Sequence, residues 1–290
     1  MPKLVLQLRR TSALCPADSR VIISDPDNNP VAFGSRRGPE HWVSVPERAA
    51  FRFRAGSELV VAHPHPLADD DAVLDAYHGA ALPIAVQVAL GGQTLHASAV
   101  VADAGALVFC GDSYAGKTTL AFALSRRGYR IWADDVLAFE ARSADGVRAV
   151  RLPFRLNLRA PTAAHFNAVP GEVSSADGGS EEWTRVPLAA VFALERVELS
   201  EPGSRPAPRR LSPSAALMTV LSHAFCFQPQ TPQERRTTLA DYLELVARVP
   251  VYSLTGGQDL GMLDALLDEV EATVPASAAR SRTGSEGGRR

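Results

Sequence analysis

Cysteine is scarce in this chain of 290 residues: there are three, Cys15, Cys110 and Cys226. An odd number of widely spaced thiols excludes a disulfide framework and the paired spacing of a zinc site, and it fits a reducing compartment. A charge excess is lacking too. Thirty Lys+Arg against 32 Asp+Glu leave a formal net charge of −2, which gives no electrostatic case for a nucleic-acid or anionic-membrane partner. Long hydrophobic runs are also missing. Met1–Arg10 has only a few apolar residues before Arg9 and Arg10, too short for a secretory signal. The best apolar run, Ala97–Ala102, is closed by Asp103, so no membrane span is expected. The expectation is a cytoplasmic protein with neither membrane nor nucleic acid as partner. What is present is an ordinary globular composition, 46% hydrophobic and 21% charged, in a chain long enough for one large domain or two small ones.

Local patterns divide the chain. Residues 1–70 read as a small β-rich N-terminal region. Leu4–Leu8 and Val21–Ile23 are strand-like, Ser24–Pro30 is dense in turn residues, and Phe51-Arg52-Phe53-Arg54 alternates like a half-buried strand. From Asp71 to Gln87 the apolar spacing is helical, with Pro83 expected to end or kink the helix. Leu95–Val101 and Ala106–Cys110 read as a hairpin turned at Asp103-Ala104-Gly105. Lys117–Arg127 is an amphipathic helix stopped by Gly128, and Tyr129–Ala133 is the next strand. Val136–Ala141 continues β-like to a turn at Asp145-Gly146. Gly171–Glu182 reads as a mobile loop, Leu188–Leu194 as a buried strand and Glu201–Pro213 as a Pro/Arg-rich connection. Ser214–Phe225, Pro232–Arg248 and Asp259–Val274 read as helices, with a strand at Val251–Leu254. The domain reading is therefore 1–70, 71–274, and a disordered tail at 275–290.

One motif carries chemistry. Gly111-Asp112-Ser113-Tyr114-Ala115-Gly116-Lys117-Thr118 fits G-x-x-x-x-G-K-[ST], between an apolar strand and a capped helix. In such a loop Gly111 permits the turn out of the strand, and Gly116 lets backbone N–H groups approach phosphate. Lys117 reaches the β- and γ-phosphates and Thr118 offers its hydroxyl to Mg²⁺ at a helix N-terminus that favours anions. Asp112, Ser113, Tyr114, Ala115 and the following Thr119 complete the expected nucleotide-binding set.

The unit from Ala106 to Ala133 is short enough for a crossover between parallel strands. Its two strands would end on one side of the sheet, with Asp134 and Asp135 beside the loop. There a carboxylate serves Mg²⁺ or takes a proton. Neighbouring residues on an extended strand face opposite ways, so one of the pair should face the phosphates unless the chain bends. His96, on the hairpin's first strand, reads by itself as a sheet histidine.

These residues resemble the HPr kinase/phosphorylase group, especially its shorter relatives, the peptide serine kinases of lasso-peptide biosynthesis. The resemblance rests on Leu95-His96-Ala97-Ser98-Ala99-Val100, on the loop Gly111–Thr119, and on Asp134-Asp135-Val136. His96 stands 21 residues before Lys117, and Asp135 stands 18 after it. It covers residues 71–160 and, more loosely, runs on to Val274 through Pro187–Arg196. It implies an α/β fold, a P-loop nucleotide-binding domain shared with the HPr kinase C-terminal domain and phosphoenolpyruvate carboxykinase rather than with small GTPases. It also implies ATP and Mg²⁺ as cofactors and γ-phosphoryl transfer to a serine or threonine hydroxyl. Asp135 would be the base, with His96 supporting it, Lys117 on phosphate, and Thr118 and Asp134 on metal. The acceptor would be a peptide or protein, a ribosomally made precursor peptide among the candidates. The oligomeric state is left open, a homo-oligomer included.

The chain departs from the family in two places. Tyr114 stands where family loops usually carry glycine, and the acidic signature that follows the aspartates in HPr kinases is not recognisable. HPr as acceptor and phosphorylase activity are therefore not carried over. Arg155 and Arg159 are candidates for stabilising transition-state charge. Two other functions fit the motif: a kinase for a small hydroxylated metabolite, and a nucleotide-binding regulatory module without transfer. His63-Pro64-His65-Pro66 reads as a stiff loop rather than a metal site, and Cys110 as a buried strand thiol.

Overall fold

Alternation builds the first sheet. Along β5 (Ala49–Arg54) Phe51 and Phe53 are fully buried, while Arg52 and Arg54 turn outward. The same period runs through β4 (Glu40–Val45). With β1 (Val5–Leu8), β2 (Arg20–Ser24), β3 (Pro30–Arg37) and β6 (Leu59–Pro64) these form a six-stranded sheet in the order β1-β6-β5-β4-β3-β2. All pairs are antiparallel except β1 with β6. The computed structural model describes residues 4–9, 16–25, 27–156, 158–168, 185–196, 207–225, 231–256 and 260–274. The mobile loop expected at Gly171–Glu182, much of the connection after Glu201, and the disordered tail expected from 275 lie outside the described residues, as do Cys15 and Cys226.

Helix α1 (Asp70–Ala76) starts where the Asp69 carboxylate accepts the Ala72 N–H at 2.7 Å. Pro83 was expected to end or kink this helix. Instead the chain widens into one π turn, Tyr77–Ala81, in which the Leu82 N–H reaches back to the Tyr77 carbonyl, and continues as α2 (Leu82–Leu90). Pro83 then lies in the first turn of α2, where its missing N–H is tolerated. Taken whole, Asp70–Leu90 is 21 residues and is long and apolar enough, by length and composition, to cross a membrane. The longest apolar stretch is therefore this helix, rather than Ala97–Ala102 as expected. Its buried face lies against the first sheet, with Tyr77 packed on Phe51.

A second, nine-stranded sheet carries the motif. Its main path uses β7 (Gln93–Leu95), β8 (Ala97–Ala102), β9 (Gly105–Gly111), β10 (Arg130–Ala133), β11 (Leu137–Ser143), β12 (Gly146–Val150) and β13 (Arg185–Arg196). The order is β10-β8-β9-β13-β12-β11-β7, with β14 (Pro208–Arg210) and β15 (Val251–Gly256) joined through β13. The run expected as one strand, Leu95–Val101, breaks at His96: β7 pairs with β11, while β8 pairs with β9 and β10. Both β9 and β10 run antiparallel to β8, so they share a direction and end at the same edge.

Alternate residues of β9 feed two cores. Ala106, Val108 and Cys110 face a cluster with Ala216 and Val220 of α5 (Pro213–Ser222) and Tyr242 and Leu245 of α6 (Pro232–Arg248). Leu107 and Phe109 face Leu120 and Leu124 of α3 (Lys117–Arg126) and Leu263, Leu267 and Val270 of α7 (Leu263–Thr273). Arg127 joins Asp264, Asp268 and Glu271 of α7 at the end of α3, fixing the helix that follows the loop. The short α4 (Ala160–His165) packs on α3 through Phe122, Phe154, Leu158 and Ala163. The fold is mixed α/β, with helices on both faces of the second sheet.

Candidate active site around the glycine-rich loop

β9 delivers the chain into the loop at Gly111, whose φ is +152°. A Cβ there would meet the Ala115 Cβ and the Leu194 carbonyl oxygen, each at 3.0 Å, so only glycine fits between the loop and β13. Gly116 differs. Its φ is +97°, and a Cβ would have nothing within 4 Å, so it is needed for its backbone conformation and leaves open space before the loop. Asp112 and Ser113 are exposed, and Lys117 is buried. The Lys117 Nζ donates to the carbonyls of Gly111 at 2.8 Å and Asp112 at 3.0 Å, folding back over the loop. Burial lowers the Lys117 pKa, and the nearby charges of Asp135, Asp134 and Asp112 oppose that.

Tyr114 has a φ of +71°, unusual for a residue with a side chain, and it is 58% exposed. The Arg159 guanidinium lies over its ring, 3.5 Å from the centroid. Thr119 on α3 holds Thr162 on α4 by a hydroxyl–hydroxyl bond of 3.0 Å.

At the end of β10 the two aspartates separate. Asp134 is buried; its Oδ1 accepts from Ser98 Oγ at 2.6 Å and from Thr118 Oγ1 at 2.9 Å. The Val136 N–H then reaches back to the Asp134 carbonyl at 2.7 Å, a three-residue turn with Asp135 at its centre and a φ of +61°. Such a turn is rare and strained. The chain thus bends at the pair, and Asp135 is left exposed. Its carbonyl accepts from Ala97 N at 3.3 Å and lies 3.1 Å from His96 Nδ1. A carbonyl only accepts, so Nδ1 carries the proton and Nε2 of the neutral ring is the lone-pair nitrogen. Burial and the Lys117 charge lower the His96 pKa; the Asp135 and Asp112 charges oppose this.

The structure therefore brings together every residue of the expected set: Gly111 to Thr119, Asp134, Asp135 and His96. His96 touches Asp135 through the backbone carbonyl rather than through the carboxylate. Arg155 lies elsewhere, in ion pairs with Asp71 and Asp75 of α1. Two neighbours were not read from the sequence. The backbone carbonyl of His223, at the end of α5, accepts the His96 main-chain N–H at 2.7 Å, and the His223 ring lies within electrostatic reach of Asp112 and Lys117. Phe225 sets its ring edge-on to His96, with centroids 5.8 Å apart. Neither belongs to a motif; only the closure of α5 onto β7 brings them near. Burial pushes the Cys110 thiol up to about 12, which leaves it unreactive. Among the described residues no group of three His, Cys, Asp or Glu is arranged to hold a metal ion.

No family model and no curated protein matches this chain. Among solved structures it is similar to the HPr(Ser) kinase/phosphatase from Coxiella burnetii, with a TM-score of 0.34 and 14% identity, over 62% of this chain and 95% of that one. At so low a score the functional reading rests on the geometry of the site itself.

Proposed function

We propose that this chain is a phosphotransferase that binds Mg-ATP on Gly111–Thr119 and passes the γ-phosphoryl group to a serine or threonine hydroxyl of a cytoplasmic peptide or protein. The observation that carries the reading is the pairing of a glycine-rich loop with two aspartates in contrasting settings. One is buried on Thr118, and the other is exposed at a strained turn, close enough for its charge to act on Lys117 and His96.

The Thr118–Asp134 pair suits Mg²⁺. Octahedral ligands about 2.05 Å from the metal stand about 2.9 Å apart along an edge, and these two oxygens are 2.9 Å apart. Thr118 and Asp134 would hold the ion, with water and nucleotide phosphates completing the shell, and its charge would offset that of the phosphates. Lys117 exchanges its two loop carbonyls for phosphate oxygens. Asp135 accepts the proton of the acceptor hydroxyl as its oxygen bonds to the γ-phosphorus, and ADP leaves with the electrons of the broken P–O bond. His96 fixes the backbone carbonyl of Asp135, which makes it a positioning residue. The exposure of Asp135 supports an acceptor as large as a peptide.

Single-turnover transfer from labelled ATP to peptides of the source organism, followed by mass spectrometry, tests this. Asp135→Asn keeps shape and suits a positive φ, since asparagine tolerates that region. ATP affinity should stay near normal while transfer falls ~100-fold or more, the scale of a positioned general base. Undiminished transfer removes the base assignment. Phosphorylation of small alcohols alone identifies a metabolite kinase, and ATP binding with no transfer to any hydroxyl identifies a regulatory module.

A further inference from the structure

Tyr114 combines two features that seldom coincide. Its backbone is held at a φ of +71°, and its ring projects from the loop with 58% of the residue exposed. A side chain kept in that conformation on a phosphate-sized turn calls for a reason on the side chain. The structure supplies one, for the Arg159 guanidinium sits over the ring at 3.5 Å from its centroid. Arg159 is itself exposed, but its backbone is not free to drift. It is the residue before α4, which is locked to α3 by the Thr119–Thr162 hydroxyl bond at 3.0 Å and by Phe122 against Phe166, centroids 5.2 Å apart. A long cationic side chain thus springs from a fixed point beside the loop, and a weak aromatic contact decides where its head rests.

On the reading of the loop as a nucleotide site, we infer that Tyr114 is a resting platform that holds Arg159 off the loop in the free protein. Arg159 leaves it for the terminal phosphate of a nucleoside triphosphate. A guanidinium–phosphate fork outweighs a cation–π contact at an exposed ring, so the triphosphate draws the arginine across, whereas a diphosphate lacks the terminal phosphate that the fork would grip. Arg159 is then a binding residue specific for the γ-phosphate, and Tyr114 its positioning residue.

Calorimetric titration with Mg-ATP and Mg-ADP tests the idea on the full chain, alongside the Arg159 Nε–Hε NMR resonance assigned by its loss in Arg159→Gln. Arg159→Gln should weaken ATP by ~10-fold or more, the scale of a lost charge-assisted fork, and leave ADP within about twofold. The resonance should be ring-shifted in the free protein and lose that shift with a non-hydrolysable ATP analogue, but not with ADP. Tyr114→Phe should match wild type in both respects, while Tyr114→Leu should abolish the ring shift and keep the preference for ATP. An unchanged ATP-to-ADP ratio in Arg159→Gln, or a resonance still ring-shifted with the ATP analogue, overturns the inference. If Lys117→Ala meanwhile loses both nucleotides, the loop reading survives it. A wild type that binds neither nucleotide brings both down.

Discussion

Lysine is the rarer cation of this chain. Of 30 Lys+Arg only Lys3 and Lys117 are lysines, so arginine fills every other basic position. That the one buried cation at the loop is a lysine reflects size. A compact ammonium donates to the carbonyls of Gly111 and Asp112 within the curve of the backbone, where a planar guanidinium two atoms wider has no room. Lys117→Arg should therefore fail where charge alone would succeed. Each charge-assisted bond lost is worth about 1.5–3 kcal/mol, so ATP affinity should fall ~10-fold or more, as in Lys117→Ala, a larger effect than the loss of the two loop bonds has on the melting temperature of the free protein. Calorimetry giving Lys117→Arg the wild-type affinity would show that the position asks only for a charge. The count of lysines was available in the sequence and marks this residue independently of the motif. The Tyr114–Arg159 contact was not, because it joins positions 45 residues apart with no shared pattern.

The element that defines the site is the strand–loop–helix from β9 through α3, and its two fixed glycines are needed for different reasons. At Gly111 a methyl group would collide with Ala115 and Leu194; at Gly116 it would stand in open space. Gly111→Ala should therefore destabilise the free protein by about 1–3 kcal/mol, lowering Tm by about 2–4 °C per kcal/mol. Gly116→Ala should cost less stability, yet lose nucleotide as completely, because its methyl group enters the space the phosphates would use. Scanning calorimetry with and without Mg-ATP separates them, and equal Tm losses would contradict the packing argument. This unit was legible because the apolar run Ala106–Cys110, two glycines and an amphipathic helix agree in one short stretch. The break at His96 was not legible, since Leu95 and Ala97 are both buried strand residues and only their separate partners, β11 and β9, reveal it. Nor was the π turn before Pro83, for the apolar period runs on through it. Arg155 was a candidate beside Arg159 for stabilising transition-state charge; Asp71 and Asp75 of α1 claim it instead.

At the scale of the whole molecule the two sheets are one structure. Phe51, Val60, Val86, Val136 and Val150 share a hydrophobic cluster, and Arg36 of β3 bonds Glu234 of α6 at 2.7 Å. Acid should therefore undo them together. His41, His63, His78, His96 and His223 are all held below their ordinary value of 6.5, with burial the largest cause for each. The sign follows from proton uptake. As the pH falls below about 6.5 the unfolded chain protonates these rings before the folded chain does, so stability present above that pH is lost as the pH drops toward the lowered folded values. Each ring contributes a slope of at most about 1.4 kcal/mol per pH unit. The carboxylates act in the same direction at lower pH. Hydrogen bonding and the Arg36 charge hold Glu234 at about 2, so its share is kept above 4.5 and lost on the way down. Urea midpoints should be flat between pH 7 and 8 and then fall between 6.5 and 5. His41→Gln should shrink that fall, because His41 is buried on Phe53 with ring centroids 5.8 Å apart and burial disfavours its charged form. Trp42, stacked on His63 in the first sheet, and Trp132, buried in the second, are the probes of the two halves. In single-tryptophan variants their fluorescence should report coincident acid transitions. A transition at Trp42 that precedes the one at Trp132 would show that the shared cluster does not couple the sheets, and that the histidines of the first sheet unfold it alone.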